Sequence, residues 1–158
     1  MTLRLLVMIA FLLLAPQIAL ACGCMPPMLE TERQRILLER KSSKAIFSGR
    51  VLSIEISRGV YWAVKFKVER AWKKVDSDEV VVFTEHPDGA SCGVEFEVGE
   101  NYLVYAGIAF ESELWTNHCT RTQKLQYAQK DLRILGAGKL PKPKVKTSSS
   151  PKHTKRLH

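Results

Sequence analysis

The chain has 158 residues, of which 24 are Lys or Arg and 16 are Asp or Glu, so its formal net charge is +8. Its hydrophobic content of 46% and charged content of 25% are those of a globular protein, which excludes a chain disordered throughout. Residues 22–136 carry 16 basic and 16 acidic residues, whereas residues 137–158 carry seven basic residues and no acid, which argues against a basic, nucleic-acid-binding core.

The first 21 residues have the pattern of a secretory signal peptide. Arg4 stands before an apolar stretch, residues 5–14, and small residues occupy the two positions that a signal peptidase recognises, Ala19 and Ala21. The apolar stretch is about half of the ~20 residues that cross a bilayer, and Pro16 interrupts the chain soon after it, so a transmembrane anchor is the weaker interpretation. We predict cleavage after Ala21 and a secreted, extracellular or periplasmic protein.

The cleavage site has a second interpretation. Ala19-Leu20-Ala21-Cys22 loosely resembles the lipobox of bacterial lipoproteins, although the leucine and the first alanine stand in exchanged positions. Lipidation would anchor the chain at Cys22 and acylate its α-amine.

The body of the chain predicts a helix, a succession of strands and a second helix. Residues 29–41 are strong helix formers, and alternating or wholly apolar segments then predict five strands, the first of them bent at Gly49. The strands are expected at 45–56, 61–70, 80–83, 102–106 and near 114–116. The second helix is expected between Thr122 as its N-cap and Gly136 as its end.

This inventory predicts a mainly β (α+β) domain, a five-stranded OB-type Greek-key barrel with two flanking helices. Four aromatic side chains are expected in the core or at its rim and not as ligand platforms: Trp62, Trp72, Phe96 and Tyr102. No internal repeat is visible.

Residues 137–158 predict a basic, disordered tail, because Pro141, Pro143 and Pro151 interrupt them and little in them is apolar. Such a tail would attract polyanions or an acidic cell surface, or serve only as a solubilising extension. The expected organisation is therefore a signal peptide at 1–21, one domain at 22–136 and the tail.

All cysteines follow the predicted cleavage site: Cys22, Cys24, Cys92 and Cys119. An even number of cysteines in an exported chain predicts two disulfides. A bridge between Cys22 and Cys24 would close a strained, very short loop. We therefore expect one of these two to pair with Cys92 and the other with Cys119, in either order, so that the start of the mature chain is clamped to the body.

Metal binding and redox chemistry are the competing interpretations of these cysteines. His86 and His118 are not accompanied by Cys-x-x-Cys or His-x-x-x-His spacing, so a zinc site of the protein's own is disfavoured. Cys22-Gly23-Cys24 also lacks the Cys-x-x-Cys pattern of redox proteins. We expect no cofactor of the protein's own.

An ordered set of motifs resembles the netrin-like module, in the form found in tissue inhibitors of metalloproteinases. The resemblance covers residues 22 to about 136. Its elements are Cys22-Gly23-Cys24 followed by Pro26-Pro27, then 46–51 (IFSGRV), 69–73 (ERAWK), Cys92-Gly93, Phe96, Gly99, 102–106 (YLVYA) and 119–122 (CTRT).

The resemblance implies an OB-type barrel with disulfides Cys22–Cys92 and Cys24–Cys119. It also implies a mechanism, in which the mature N-terminal cysteine places its α-amine and carbonyl oxygen on the catalytic zinc of a target protease and displaces the attacking water. Cys22 would then be the residue that chelates this zinc in trans. Gly23 and Cys24 would form the wedge that enters the active site, and the loop Ala90-Ser91-Cys92-Gly93 would flank it.

Two features depart from the family pattern. The inhibitors carry, between the two cysteines, a side chain that fills the main specificity pocket of the protease, and Gly23 has none. They also have a third disulfide and a further cysteine-rich domain.

The first functional hypothesis is a secreted metalloendopeptidase inhibitor with a zinc metalloprotease as its partner. The alternative is a non-inhibitory, exported netrin-like binding module, in one version a lipoprotein anchored at Cys22, that engages a surface or a protein partner. An enzyme is not expected, because the histidines and carboxylates form no nucleophile or catalytic motif. Nucleic-acid binding and a transmembrane span are not expected either.

Overall fold

The structure is a computed structural model that describes residues 22–25, 28, 31–87, 91–109 and 112–143. The predicted signal peptide, Ala90 and the tail from residue 144 onward lie outside the described residues. Within the described ranges, no helix combines the length and apolar character needed to cross a membrane.

Helix α1 spans Glu32–Ser42 and begins with a capping box. The Gln34 N–H donates to Thr31 Oγ1 at 3.2 Å, and the Thr31 N–H donates to Gln34 Oε1 at 3.0 Å, so two of the otherwise unpaired N–H groups at the helix start are satisfied. At the other end, Lys73 Nζ donates to the last carbonyl oxygens of the helix. Ile36 is the only buried α1 residue, so the helix contacts the body along one narrow stripe.

In the part of the chain that the structure describes, six strands follow, and five of them are hydrogen-bonded in a closed ring in the order β1-β2-β3-β5-β4 and back to β1. All ring pairings are antiparallel except β3–β5. Strand β6 pairs with β4. The strands are β1 Ala45–Ser57, β2 Tyr61–Lys73, β3 Glu79–Glu85, β4 Asn101–Ala109, β5 Glu113–Trp115 and β6 Gln123–Lys124. The predicted mainly β architecture with five ring strands and two helices is confirmed.

The sequence predicts a bend in β1 at Gly49, and the pairing of the strand is irregular at this position. The pairing of β1 with β2 shifts register between Ser48 and Gly49. A Cβ built on Gly49 would lie 2.5 Å from the carbonyl oxygen of Lys67 in β2, so the two backbones approach more closely than any side chain allows. Glycine is therefore required here by the packing of one strand on the next.

The interior of the ring holds an aromatic core. Phe66 of β2 contacts Phe47 and Phe96 edge to face, with ring centroids 5.4 and 5.3 Å apart, and Phe96 contacts Tyr102 in the same manner. Phe96 and Tyr102 are buried, as expected from the sequence. The other two aromatic residues predicted for the core or rim are half-buried. Trp62 packs against the cluster inside the ring that contains Phe66. Trp72 packs against a second cluster, which contains Leu103 and Tyr105.

The second predicted helix begins later than expected. Residues Gln123–Lys124 form β6, Leu125–Tyr127 form a 3-10 helix, and helix α2 spans only Gln129–Leu135, ending at Gly136 as predicted. Thr122 is not an N-cap, because its hydroxyl donates to the Tyr105 carbonyl oxygen at 3.1 Å and accepts the Tyr105 N–H at 3.0 Å.

Residues 137–143, which the sequence assigns to the tail, pair with the body. Lys139 exchanges two backbone hydrogen bonds with Ala71 of β2, at 2.8 and 2.7 Å. Lys142 accepts the Asp78 N–H at 3.1 Å and donates to the Asp76 carbonyl oxygen at 2.9 Å. This segment covers the edge of β2 that lies beyond β3.

Candidate functional site: the disulfide-held N-terminal segment

Two disulfides attach the first described residues to two loops of the body. Cys22 pairs with Cys92 across 70 residues, and Cys24 pairs with Cys119 across 95 residues. Of the two pairings that the sequence left open, this is the one that the family resemblance implies. The segment Cys22-Gly23-Cys24 is therefore held at both ends by covalent bonds to chain segments that are distant in sequence.

The loop that carries Cys92 is anchored at the end of β3. The Cys92 N–H donates to Glu85 Oε2 at 3.0 Å, and the Val94 N–H donates to Thr84 Oγ1 at 2.9 Å. A Cβ built on Gly93 would lie 2.1 Å from the Glu85 carbonyl oxygen, so only glycine permits this approach. Of the flanking residues predicted for the site, Ser91, Cys92 and Gly93 lie together here.

The loop that carries Cys119 is joined directly to the Cys92 loop. The His118 N–H donates to the Cys92 carbonyl oxygen at 2.8 Å. Asn117 orders the turn, because its Oδ1 accepts the Cys119 N–H at 2.9 Å and its carbonyl oxygen accepts the Thr120 hydroxyl at 2.8 Å. The two anchor points of the N-terminal segment thus belong to one hydrogen-bonded unit.

Arg121 ties this unit to both helices. Its guanidinium makes two hydrogen bonds to the Asp131 carboxylate of α2, at 2.8 and 2.9 Å, and one to Glu32 at the start of α1. The Tyr105 hydroxyl donates to the same Asp131 carboxylate at 2.8 Å. The hydrogen bonds to Asp131 are the main cause that raises the pKa of Arg121, and the bond to Glu32 contributes less. Arg121 therefore stays charged at all ordinary pH values.

Sequence reasoning missed this network, although one signal was present. Asp131 lies on the same α2 face as Ala128 and Leu135, because three- and four-residue spacings return to one side of a helix. An acidic residue among apolar positions is buried only with a partner, and Asp131 is 1% exposed. That spacing predicts a buried cation partner but not which one.

The N-terminal segment is held firmly but is open to solvent. Gly23 and Cys24 are exposed, and Cys22 is partly exposed. A Cβ built on Gly23 would meet no atom within 4 Å. Met25, which comes next, is 96% exposed. The segment therefore presents backbone groups at a surface with free space around them.

An open cavity of about 370 Å³ lies beside the second disulfide. Cys24, Cys119 and Arg121 line it together with Met25 and Leu38. Glu39 of α1 also lines this cavity, and burial raises the pKa of its carboxyl, an effect partly offset by a hydrogen bond from Ser43.

The sulfur atoms of the two disulfides lie close together. The Sγ atoms of Cys22, Cys92 and Cys119 are all within 4.8 Å of one another. Each is bonded in a disulfide, so none is a thiolate able to ligate a metal ion. His86 and His118, the histidines weighed as ligands from the sequence, are both exposed.

Neither a family model nor a curated protein matches this chain.

Proposed function

We propose that this chain is an exported netrin-like module of the type found in tissue inhibitors of metalloproteinases, and that it inhibits zinc metalloendopeptidases. One observation carries the proposal: Cys22-Gly23-Cys24 is fixed by a disulfide at each end, yet Gly23 and Cys24 are exposed. A rigid backbone edge of this kind suits insertion into a cleft, because little conformational entropy is lost when it binds.

The proposed fold is an OB-type Greek-key barrel. Its support is a closed ring of five strands, a filled aromatic interior and two helices outside the ring. In this arrangement the Cys92 loop follows β3 and the Cys119 loop follows β5, so both disulfide anchors lie in loops that leave ring strands.

The proposed mechanism begins with cleavage after Ala21, which leaves Cys22 with a free α-amine. An α-amine has a pKa of about 7.7–8, so near neutral pH a useful fraction carries the lone pair that binds a metal. A catalytic zinc keeps one open position for water or substrate. The α-amine of Cys22 would take that position and displace the water that would attack a peptide bond, and the carbonyl oxygen of Cys22 would add as a further ligand.

The residues around Cys22 shape the rest of the contact. Gly23 and Cys24 extend along the protease cleft, and of the predicted flanking loop the described residues Ser91, Cys92 and Gly93 adjoin them through the Cys22–Cys92 disulfide. The zinc belongs to the protease, and the inhibitor contributes the amine, the carbonyl oxygen and their fixed geometry.

The test is inhibition by the mature protein with and without one extra residue. The exported protein is first characterised by intact mass and N-terminal sequencing, and the form that starts at Cys22 is assayed against zinc endopeptidases and, as a control class, serine proteases. A matched form with one alanine before Cys22 should keep both disulfides and the same thermal midpoint but lose at least 100-fold in affinity, since the amine is displaced by a residue length. An unchanged inhibition constant would show that zinc chelation is wrong.

A second candidate function is a non-inhibitory binding module, and two observations favour it. Gly23 offers no side chain to a specificity pocket, and Lys139 and Lys142 are exposed on a segment held against β2. These cations and the acid-free sequence after them suit a polyanion. Salt-dependent capture on a sulfated polysaccharide, together with no inhibition of any metalloprotease, would support this alternative.

A further inference from the structure

We propose that Cys22, Cys92 and Cys119 form a thiol–disulfide exchange site at which a single dithiol releases the whole N-terminal segment. Their Sγ atoms lie within 4.8 Å of one another although they belong to two different disulfides. A thiolate formed on one of them is therefore close to the other disulfide, and access of a thiolate to a disulfide sulfur is one condition for exchange. This chemistry goes beyond the inhibitory function and does not depend on it.

The reductant enters at the Cys24–Cys119 disulfide. Both of these residues are exposed, and both line the open cavity beside α1. Arg121 lines the same cavity, with its guanidinium bonded to Asp131 and Glu32, so the disulfide is approached from a polar, solvent-open side. One thiol of the dithiol attacks Cys24 Sγ, a mixed disulfide forms on Cys24, and Cys119 leaves as a thiolate.

The exchange then passes to the first disulfide. The Cys119 thiolate attacks Cys92 Sγ, a Cys92–Cys119 bond forms, and Cys22 leaves as a thiolate and takes a proton. The second thiol of the reductant attacks its own sulfur on Cys24, closes a cyclic disulfide and releases the Cys24 thiol. Two hydrogen atoms have moved from the dithiol to Cys22 and Cys24, and the body retains one disulfide.

The product is favoured by contacts that already exist. The hydrogen bond from His118 to Cys92 holds the two loops together before any exchange. The new bond would therefore join two loops that are already in contact, and it needs no part of the N-terminal segment. The released segment also gains backbone freedom.

Cys24 differs from its disulfide partner Cys119 in its distance from the other sulfur atoms. Its sulfur is not a member of the group of three within 4.8 Å. A thiolate on Cys119 is therefore within 4.8 Å of both sulfurs of the Cys22–Cys92 bond, whereas a thiolate on Cys24 is not within that distance of both. This asymmetry supplies a matched pair of variants.

The first experiment maps the disulfides of the oxidised full chain after treatment with one equivalent of dithiothreitol. The reaction is quenched with acid, free thiols are alkylated, and peptides are identified by mass spectrometry. The expected two-electron-reduced species carries label on Cys22 and Cys24 and a Cys92–Cys119 bond. A species that is labelled on Cys24 and Cys119 and retains the Cys22–Cys92 bond would overturn the proposal.

The second experiment compares Cys24→Ser with Cys119→Ser, without reductant. In Cys24→Ser the single free thiol should be distributed between Cys119 and Cys22, because the Cys119 thiolate can attack Cys92 and release Cys22. In Cys119→Ser the label should stay on Cys24. Label confined to Cys119 in the first variant would contradict the exchange, and if either variant fails to fold, the mapping of the unaltered chain decides alone.

Discussion

The backbone N–H of His118 donates a 2.8 Å hydrogen bond to the carbonyl oxygen of Cys92, and this contact joins the two loops that hold the N-terminal segment. The N-terminal segment and the two loops that hold it are therefore expected to move together. A change that shifts either loop is expected to move Cys22 relative to the body.

Arg121→Met should lower the stability of the protein strongly. The substitution leaves the Asp131 carboxylate, which is 1% exposed, without its cation, and loss of one partner of a buried pair costs about 3–5 kcal/mol. Arg58→Met is the matched control, because the Arg58–Glu113 pair is open to solvent and contributes at most about 1 kcal/mol. Urea denaturation measures both free energies of unfolding. Equal losses for the two variants would show that Asp131 does not depend on Arg121.

Gly93→Ala should destabilise the Cys92 loop, whereas Gly23→Ala should leave stability unchanged. The new methyl at position 93 would meet the Glu85 carbonyl oxygen at 2.1 Å, and relief of such an overlap costs about 1–3 kcal/mol. At position 23 the methyl meets nothing within 4 Å. Thermal midpoints of the two variants test the contrast, and a neutral Gly93→Ala would mean that the loop has room to move.

The sequence predicts those features that depend on neighbours along the chain. The alternation of Val64, Phe66 and Val68 predicts the buried face of β2, because successive side chains in a strand point to opposite faces. The actual function of Thr122 was not predictable in this way, since its hydroxyl is used by Tyr105, a residue of β4 that is 17 positions earlier. Helix capping and hydrogen bonding to a residue distant in sequence compete for the same hydroxyl, and the tertiary fold determines which of the two forms.

In the candidate site, too, some features were predictable from the sequence and others depend on the tertiary fold. The even number of cysteines predicts two disulfides, and the strain of the very short loop between Cys22 and Cys24 argues against their direct pairing. The closeness of the three sulfurs, and the bond from His118 to Cys92, follow from how β3 and β5 end side by side. No local pattern contains that information.

The stability of the protein should fall as the pH rises past 10.0. Burial, and then the hydrogen bond to Asp131, raise the pKa of Tyr105 above its ordinary value of 10.0, and burial also raises the pKa of Tyr102. Above pH 10.0 the unfolded chain releases phenolic protons that the folded chain keeps, so the free energy of unfolding decreases with rising pH. Below that range these groups are protonated in both states and contribute no pH dependence.

Phenolate absorbance and circular dichroism, recorded together in an alkaline titration, test this expectation. The phenolate signal of Tyr105 should appear only as the secondary structure is lost, and that of Tyr102 should be delayed to above pH 10.0. Tyr105→Phe should reduce the alkaline slope of the unfolding free energy. Full ionisation of all tyrosines in a protein that is still folded would contradict the assigned burial effects.

Truncation after Gly138 should destabilise the body, whereas truncation after Pro143 should not. The shorter chain loses the backbone hydrogen bonds of Lys139 and Lys142 and leaves part of the β2 edge uncovered. Four such bonds at a net ~0.5–1.5 kcal/mol each, a value that already includes replacement by water, amount to a loss of about 2–6 kcal/mol. Urea denaturation of both truncated forms separates the segment that belongs to the fold from the charged sequence beyond it.

Gly23→Leu should strengthen inhibition if Cys22 chelates a protease zinc. The site has space for a side chain, since a Cβ at position 23 meets nothing within 4 Å, and the substitution should leave the thermal midpoint unchanged. A leucine that enters an apolar specificity pocket contributes about 1.5–3 kcal/mol, which is roughly a 10- to 150-fold lower inhibition constant. Gly23→Ala is the control and should change affinity far less. If Gly23→Leu folds normally and binds no more tightly, position 23 does not face such a pocket, and the orientation proposed for the N-terminal segment is wrong.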